Sequence, residues 1–127
     1  MSSIVLDASA VLALLNEEPG SEVVEKAIPG AAISAVNLSE VVAKLVENGM
    51  PEEIVRLALG GVQLDIYAFE AESAYQAGIL RTATKKAGLS LGDRACIALG
   101  KQLSLPVWTT DRSWKNVEVG VDVKVIR

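Results

Sequence analysis

The sequence predicts an α/β fold: one domain built on a mainly parallel central sheet of about five strands, flanked by helices. Three observations carry this. Short apolar runs alternate with segments whose apolar residues recur at i, i+3 and i+4, the pattern of parallel strands joined by crossover helices. Pro-Gly, Asn-Gly and Gly-Gly punctuate the chain between those segments, where turns and helix ends need them. The 127 residues contain no repeat, low-complexity tract or linker, so a single domain over 1–127 is expected.

Residues 3–6 (SIVL) read as a short buried strand. The helix after it, from about Ala8 to Asn16, sets Ala10 over Leu14 and Val11 over Leu15 at i, i+4 spacing. Pro19-Gly20 breaks it, and a second short helix covers 21–28. Gly30 and the AAIS run give a strand over 31–34. Ser34 or Asn37 opens the next helix, which runs to Asn48 with Leu38, Val41, Val42, Leu45 and Val46 as one apolar stripe. Asn48-Gly49 and Pro51 mark a stop and a restart, giving a helix over 51–59 that Gly60-Gly61 should end. VQLDIY (62–67) alternates as a third strand, and a long helix over roughly 69–87 closes at Gly88. Residues 91–104 form another helix, and LPVWT (105–109) a fourth strand. Asp111 to Lys115 reads as a loop or short helical turn, and VDVKVI (121–126) as a terminal strand at the sheet edge.

Composition narrows the function. The apolar fraction is 50% with aromatics at only 4%, so Ala, Val and Leu supply the buried surface. The apolar excess predicts a spare face for a homodimer or another partner. The net charge of −4 argues against a protein that coats nucleic acid by charge alone, though not against a nuclease. Cys96, the one cysteine, falls in a helical pattern as a small buried hydrophobe; with no internal disulfide possible, a reducing cytoplasm is expected. The apolar stretches are too short to span a bilayer, and the N-terminus lacks a basic n-region, so no membrane anchor or signal peptide is expected.

Four acids stand where an apolar run stops or a helix begins: Asp7, Glu40, Asp93 and Asp111. Each has an ordinary explanation. Asp7 can cap the helix that starts at Ala8, Glu40 can be a solvated helix residue, Ser90 to Asp93 matches a capping box, and Asp111 suits an Asx turn. Together they suggest more. Ligands of parallel sheets bind at the carboxyl ends of the strands, and Asp7 follows strand one as Asp111 follows strand four. Two carboxylates ~4 Å apart repel by about 4 kcal/mol at an effective dielectric near ~20, so such a cluster takes up protons or a cation. With no histidine in the chain, the chemistry must rest on oxygen ligands, and Mg²⁺ or Mn²⁺ is the natural partner.

The blocks LDASAVLALLNEEPG, SAVNLSEVVAKL, GLSLGDRACIALG and LPVWTTDRSW, in this order along essentially the whole chain, resemble the PIN-domain nucleases. More narrowly, they resemble the VapC toxins of type II toxin–antitoxin pairs. The resemblance implies a PIN-like fold, one or two Mg²⁺ or Mn²⁺ ions in an acidic pocket, and endonucleolytic cleavage of RNA to a 5′-phosphate and a 3′-hydroxyl. It implies a cognate protein antitoxin as partner. It carries the catalytic and metal-binding roles onto Asp7, Glu40, Asp93 and Asp111, with Ser9 and Thr109 as hydroxyls that support the pocket. Asp7 and Asp111 are then the core ligands, and Asp93 orients the attacking water. Some members carry a further acid two residues beyond the last; here that residue is Ser113. Arg94, Arg112 and Lys115 lie beside the acids in sequence and either contact RNA or balance charge.

Rival readings fit less well. A phosphotransferase of the haloacid dehalogenase kind needs a second acid two residues after the first, where Ser9 stands. A two-component receiver needs paired acids near strand one, and Asp7 is unpaired. A PIN-domain RNA-processing nuclease without a toxin role, and a catalytically silent PIN-fold binding module, stay open.

Overall fold

The computed structural model describes residues 1–127. Its elements in chain order are β1 (Ile4–Leu6), α1 (Ala8–Leu15), α2 (Ser21–Ala27), β2 (Ala31–Ser34), α3 (Ala35–Glu47), α4 (Glu52–Val62), β3 (Asp65–Tyr67), α5 (Ala71–Ile79), α6 (Arg81–Thr84), α7 (Leu91–Leu103), β4 (Val107–Thr109) and β5 (Val123–Val125), with a 3₁₀ turn at Arg112–Trp114. The five strands lie in the order β3-β2-β1-β4-β5, and every neighbouring pair is parallel. The terminal strand is at an edge, as its alternation predicts.

Strand alternation divides the apolar residues between two cores. Val5, Ala32 and Val107 face one side, where they meet Cys96, Ile97 and Leu99 of α7 and Leu80, Leu89 and Trp114. Ile4, Leu6, Ala31 and Ile33 face the other, against Ala10 and Val11 of α1, Val24 of α2, Val41 and Leu45 of α3 and Val55 of α4. A parallel sheet covered on both faces needs strands that are apolar throughout, and β1 and β2 are buried at every position. No helix is long and apolar enough to cross a membrane.

Local differences from the sequence reading have physical causes. The helix expected over 51–59 continues through Gly60-Gly61 to Val62 and stops at Gln63, whose φ of 60° is left-handed. Each glycine costs a helix about 1 kcal/mol but does not forbid it, and the third strand is left with only Asp65–Tyr67. Residues 105 and 106 likewise precede the fourth strand, and the fifth is confined to Val123–Val125.

The long helix expected over 69–87 is two, α5 and α6, parted at Leu80. Arg94 explains the break. Its Nη1 donates to the carbonyl of Ala77 at 2.9 Å, the acceptor that the Arg81 N–H would use in an unbroken helix. Within α7, Gly100 lets the helix press onto β4. A Cβ there would lie 2.5 Å from Cγ1 of Val107 and 3.1 Å from the Leu105 carbonyl oxygen.

Candidate active site

The strand order reverses at β1, which has β2 on one side and β4 on the other. A crevice opens at the carboxyl end of such a switch point, and the chain places Asp7 there directly after β1. Asp7 is 5% exposed. Its Oδ1 accepts from the Ala10 N–H (2.8 Å) as the N-cap of α1, and from Ser9 Oγ (2.7 Å). Its Oδ2 accepts from Thr109 Oγ1 at 2.5 Å. Two hydroxyls thus tie the ends of β1 and β4 together. Ser9 Oγ also accepts from the Thr110 N–H (2.9 Å), and Thr109 Oγ1 from the Asp111 N–H (3.0 Å). Asp111 closes an Asx turn by accepting from the Ser113 N–H at 2.9 Å, and its side chain stays exposed.

The other two acids come from helices α3 and α7. Asp93 completes the capping box of α7: its N–H is bound by Ser90 Oγ, and its Oδ2 accepts from the Ser90 N–H at 2.9 Å. Glu40 projects from α3 toward the start of α7. Its Oε1 accepts from Nδ2 of Asn37 at 3.0 Å, and the same Nδ2 donates to the Gly92 carbonyl at 2.9 Å. Asp7, Glu40, Asp93 and Asp111 therefore line one pocket of about 280 Å³, with Ala8, Ser9, Leu12 and Lys44. Ordinary capping and pocket lining coexist in Asp7, Asp93 and Asp111.

Burial pushes Asp7 up from an ordinary pKa of 3.8 to about 6; the Thr109, Ser9 and Ala10 hydrogen bonds oppose that rise and the Asp93 charge adds to it. Asp93 is also raised, chiefly by burial, with the Ser90 hydrogen bonds opposing, Asp111 adding and Arg94 opposing. Beneath them, the buried Cys96 thiol is held well above its ordinary value by burial and by the charges of Asp7, Asp93 and Glu40, so it stays protonated and unreactive. No Lys or Arg forms a salt bridge with any of the four acids; the ion pairs of the chain are Arg56–Glu52 and Arg127–Glu18.

This donor set suits a hard divalent cation. Every polar side-chain group on offer is an oxygen except Lys44, and none of the four acids is paired in a salt bridge. As placed, no three of the acids stand close enough together to hold a metal ion between them. An open set suits Mg²⁺, which dehydrates reluctantly and commonly takes one or two carboxylates while keeping several waters.

The basic residues divide. Arg112 and Lys115 are exposed beyond Asp111, and Arg112 Nε reaches the Arg127 carbonyl at 3.4 Å. Arg94 turns away to Ala77 and leaves its Nε buried without a partner. Trp114, fully buried, belongs to the core on the α7 side of the sheet. Lys44, the cation that lines the pocket, is not among the residues the sequence singles out; its i+4 spacing from Glu40 is the available signal. Asn37 reads in the sequence only as a cap, and Gly92 carries no signal of its own.

A five-stranded parallel sheet with four carboxylates at its switch point defines an α/β domain with an acidic pocket. The PIN domain family model matches residues 4–120, and the chain belongs to that family. Solved structures are similar over nearly the full length. A toxin–antitoxin complex from Klebsiella pneumoniae is 20% identical, with 95% of each chain covered and a TM-score of 0.74. DNA-bound VapBC from Salmonella typhimurium is 18% identical, with 98% of each chain covered and a TM-score of 0.75. VapC20 from Mycobacterium tuberculosis, described as a sarcin-ricin loop cleaving toxin, is 16% identical, with 92% of this chain and 98% of that chain covered and a TM-score of 0.74. No curated protein matches the chain.

Proposed function

We propose that this protein is a metal-dependent endoribonuclease of the VapC type, the toxin of a type II toxin–antitoxin pair. The observation that carries the reading is the convergence of Asp7, Glu40, Asp93 and Asp111 on one pocket without a compensating salt bridge. The likeness to toxin–antitoxin structures, one of them of an RNA-cleaving toxin, supports the choice of substrate and partner.

Asp7 and Asp111 are the carboxylates we assign to holding Mg²⁺ or Mn²⁺, with Glu40 completing the set; bound there, the ion supplies Lewis acidity at the scissile phosphate. Ser9 and Thr109 fix the Asp7 carboxylate by hydrogen bonds to both of its oxygens. Asp93 orients the attacking water and accepts its proton. Its Oδ2 is engaged by the Ser90 N–H, which fixes the carboxylate for that role. Lys44, Arg112 and Lys115 meet RNA phosphates around the pocket, while Arg94 offsets charge beside Asp93.

Two exposed apolar surfaces suit protein partners. A groove of about 670 Å³ between α3, α4 and β3 is lined by Leu38, Val42, Val46, Leu59 and Ile66, and we assign it to an apolar helix of the antitoxin. Tyr75 and Ile79 of α5, one turn apart and exposed, are assigned to a homodimer contact.

The test is incubation of the purified protein with total cellular RNA and mapping of the cut ends. Cleavage is expected with Mg²⁺ or Mn²⁺, none with EDTA, and none from folded Asp7→Asn or Asp93→Asn. Equal cleavage in EDTA, or by both variants, overturns the metal-nuclease assignment. Expression alone should arrest growth, with relief by the adjacent antitoxin gene; harmless expression favours RNA processing without a toxin role.

A further inference from the structure

The Glu40 carboxylate rests where a side chain on Gly92 would be. A Cβ built on Gly92 would lie 2.5 Å from both Cδ and Oε1 of Glu40, with Oε2 also in collision. Gly92 has no positive φ to account for its being glycine, and it sits in the first turn of α7, where glycine costs helix stability. Asn37 holds the same carboxylate from the other side. Its Nδ2 bridges Glu40 Oε1 and the Gly92 carbonyl, at 3.0 and 2.9 Å. Both partners are acceptors, so the amide orientation is fixed: the NH₂ must face them. The consequence is visible on the other amide atom. Asn37 is 1% exposed, and its Oδ1 has no hydrogen-bond partner. A buried unpaired acceptor is costly, and apart from the two bonds that face Glu40 and Gly92 nothing offsets it.

We propose that Asn37 and Gly92 are positioning residues, a clamp between α3 and α7 that seats the Glu40 carboxylate beside Asp93. The proposal rests on the reading of the acidic pocket as a metal site. Glu40 itself is exposed, so without the clamp it would sample many rotamers. Gly92 supplies the space and Asn37 supplies the donor. The two helices reach the pocket from different parts of the chain, and the bridging amide sets their spacing there.

The experiment is calorimetric titration of chelator-stripped protein with Mn²⁺, joined to thermal melts of the same metal-free samples. Gly92→Ala should bind Mn²⁺ at least ~10-fold more weakly than the parent, within the range for outer-shell changes, and keep its fold because Glu40 can swing into solvent. Asn37→Leu, which keeps the shape and removes the unpaired Oδ1, should weaken Mn²⁺ similarly. In a Glu40→Ala background, Gly92→Ala should cost no further affinity and should raise the melting temperature, since alanine then gains helix propensity without a collision. In the parent background that rise should be absent.

Unchanged Mn²⁺ affinity in Gly92→Ala, or a further ~10-fold loss on adding it to Glu40→Ala, overturns the clamp. A parent protein whose Mn²⁺ binding is absent, or indifferent to Asp7→Asn, overturns the metal reading instead. The melts then still decide the clamp: an equal gain from Gly92→Ala in both backgrounds refutes it.

Discussion

Asp7 is the residue on which the pocket's electrostatics turn. Its carboxyl is raised from 3.8 to about 6 because burial disfavours its charge. A group whose folded pKa lies above its unfolded one stabilises the fold at low pH and loses that contribution as pH rises through the folded value. The metal-free protein should therefore melt at progressively lower temperature as pH climbs from about 4 to about 6, by an amount on the order of 3 kcal/mol from this residue; Asp93, also raised, acts in the same direction. A melting temperature that is flat or rising over that window contradicts this. Added Mn²⁺ should flatten the decline, because a cation relieves the charge that burial penalises. Asp7→Asn should melt several degrees above the metal-free parent at pH 8, since the buried charge is gone while an amide oxygen remains to cap Ala10. Thr109→Val removes the donor to Asp7 and the acceptor of the Asp111 N–H. We expect it to cost about 1–3 kcal/mol in urea unfolding, and to weaken Mn²⁺ binding.

At the level of elements, legibility followed the strength of the local pattern. The stripe along α3 and the turn signals around Gly20, Gly49 and Gly88 were readable because periodicity and glycine chemistry are local. The break between α5 and α6 was not, because its cause is Arg94, 17 residues from the carbonyl it takes. Nor was the persistence of α4 through Gly60-Gly61, where no side chain is needed for packing and none is excluded. The positions of Asp7, Asp93 and Asp111 at helix or turn starts could be read as caps, and the caps are real. Their shared pocket depends on strand order, which the sequence only suggests. The seat of Glu40 was illegible because a missing Cβ leaves no trace in composition. Gly100 is of the same kind. Gly100→Ala should destabilise by about 1–3 kcal/mol through overpacking of α7 on Val107, read from the urea midpoint, despite alanine's better helix propensity. A midpoint at or above the parent's would mean that β4 yields freely.

Across the whole molecule, the acidic pocket and the apolar groove share α3. Glu40 and Lys44 line the pocket, while Leu38, Val42 and Val46 of the same helix line the groove. A partner helix seated in the groove therefore packs against the element that carries Glu40. Val42→Glu should abolish capture of the antitoxin while leaving cleavage of RNA within about twofold, measured by co-purification and by initial rate. Loss of both together would place the groove within the RNA path. Lys44→Ala should raise KM and flatten its dependence on salt, with kcat less affected, if Lys44 meets phosphate.

The hydroxyl stitch at the strand ends also bears on when the protein can act. Thr109 and the Asp7 it binds are 102 residues apart, and β4 must slide in beside β1 before that bond exists. A pairing so distant in sequence carries the entropy cost of closing the long loop between its partners. A ribosome that has made only the segment through α7 has made Asp7, Glu40 and Asp93, yet none of them has the strand that completes their pocket. On the proposed function, a chain clipped ahead of β4 should therefore not cleave RNA, because it lacks both Thr109, the partner of Asp7, and Asp111.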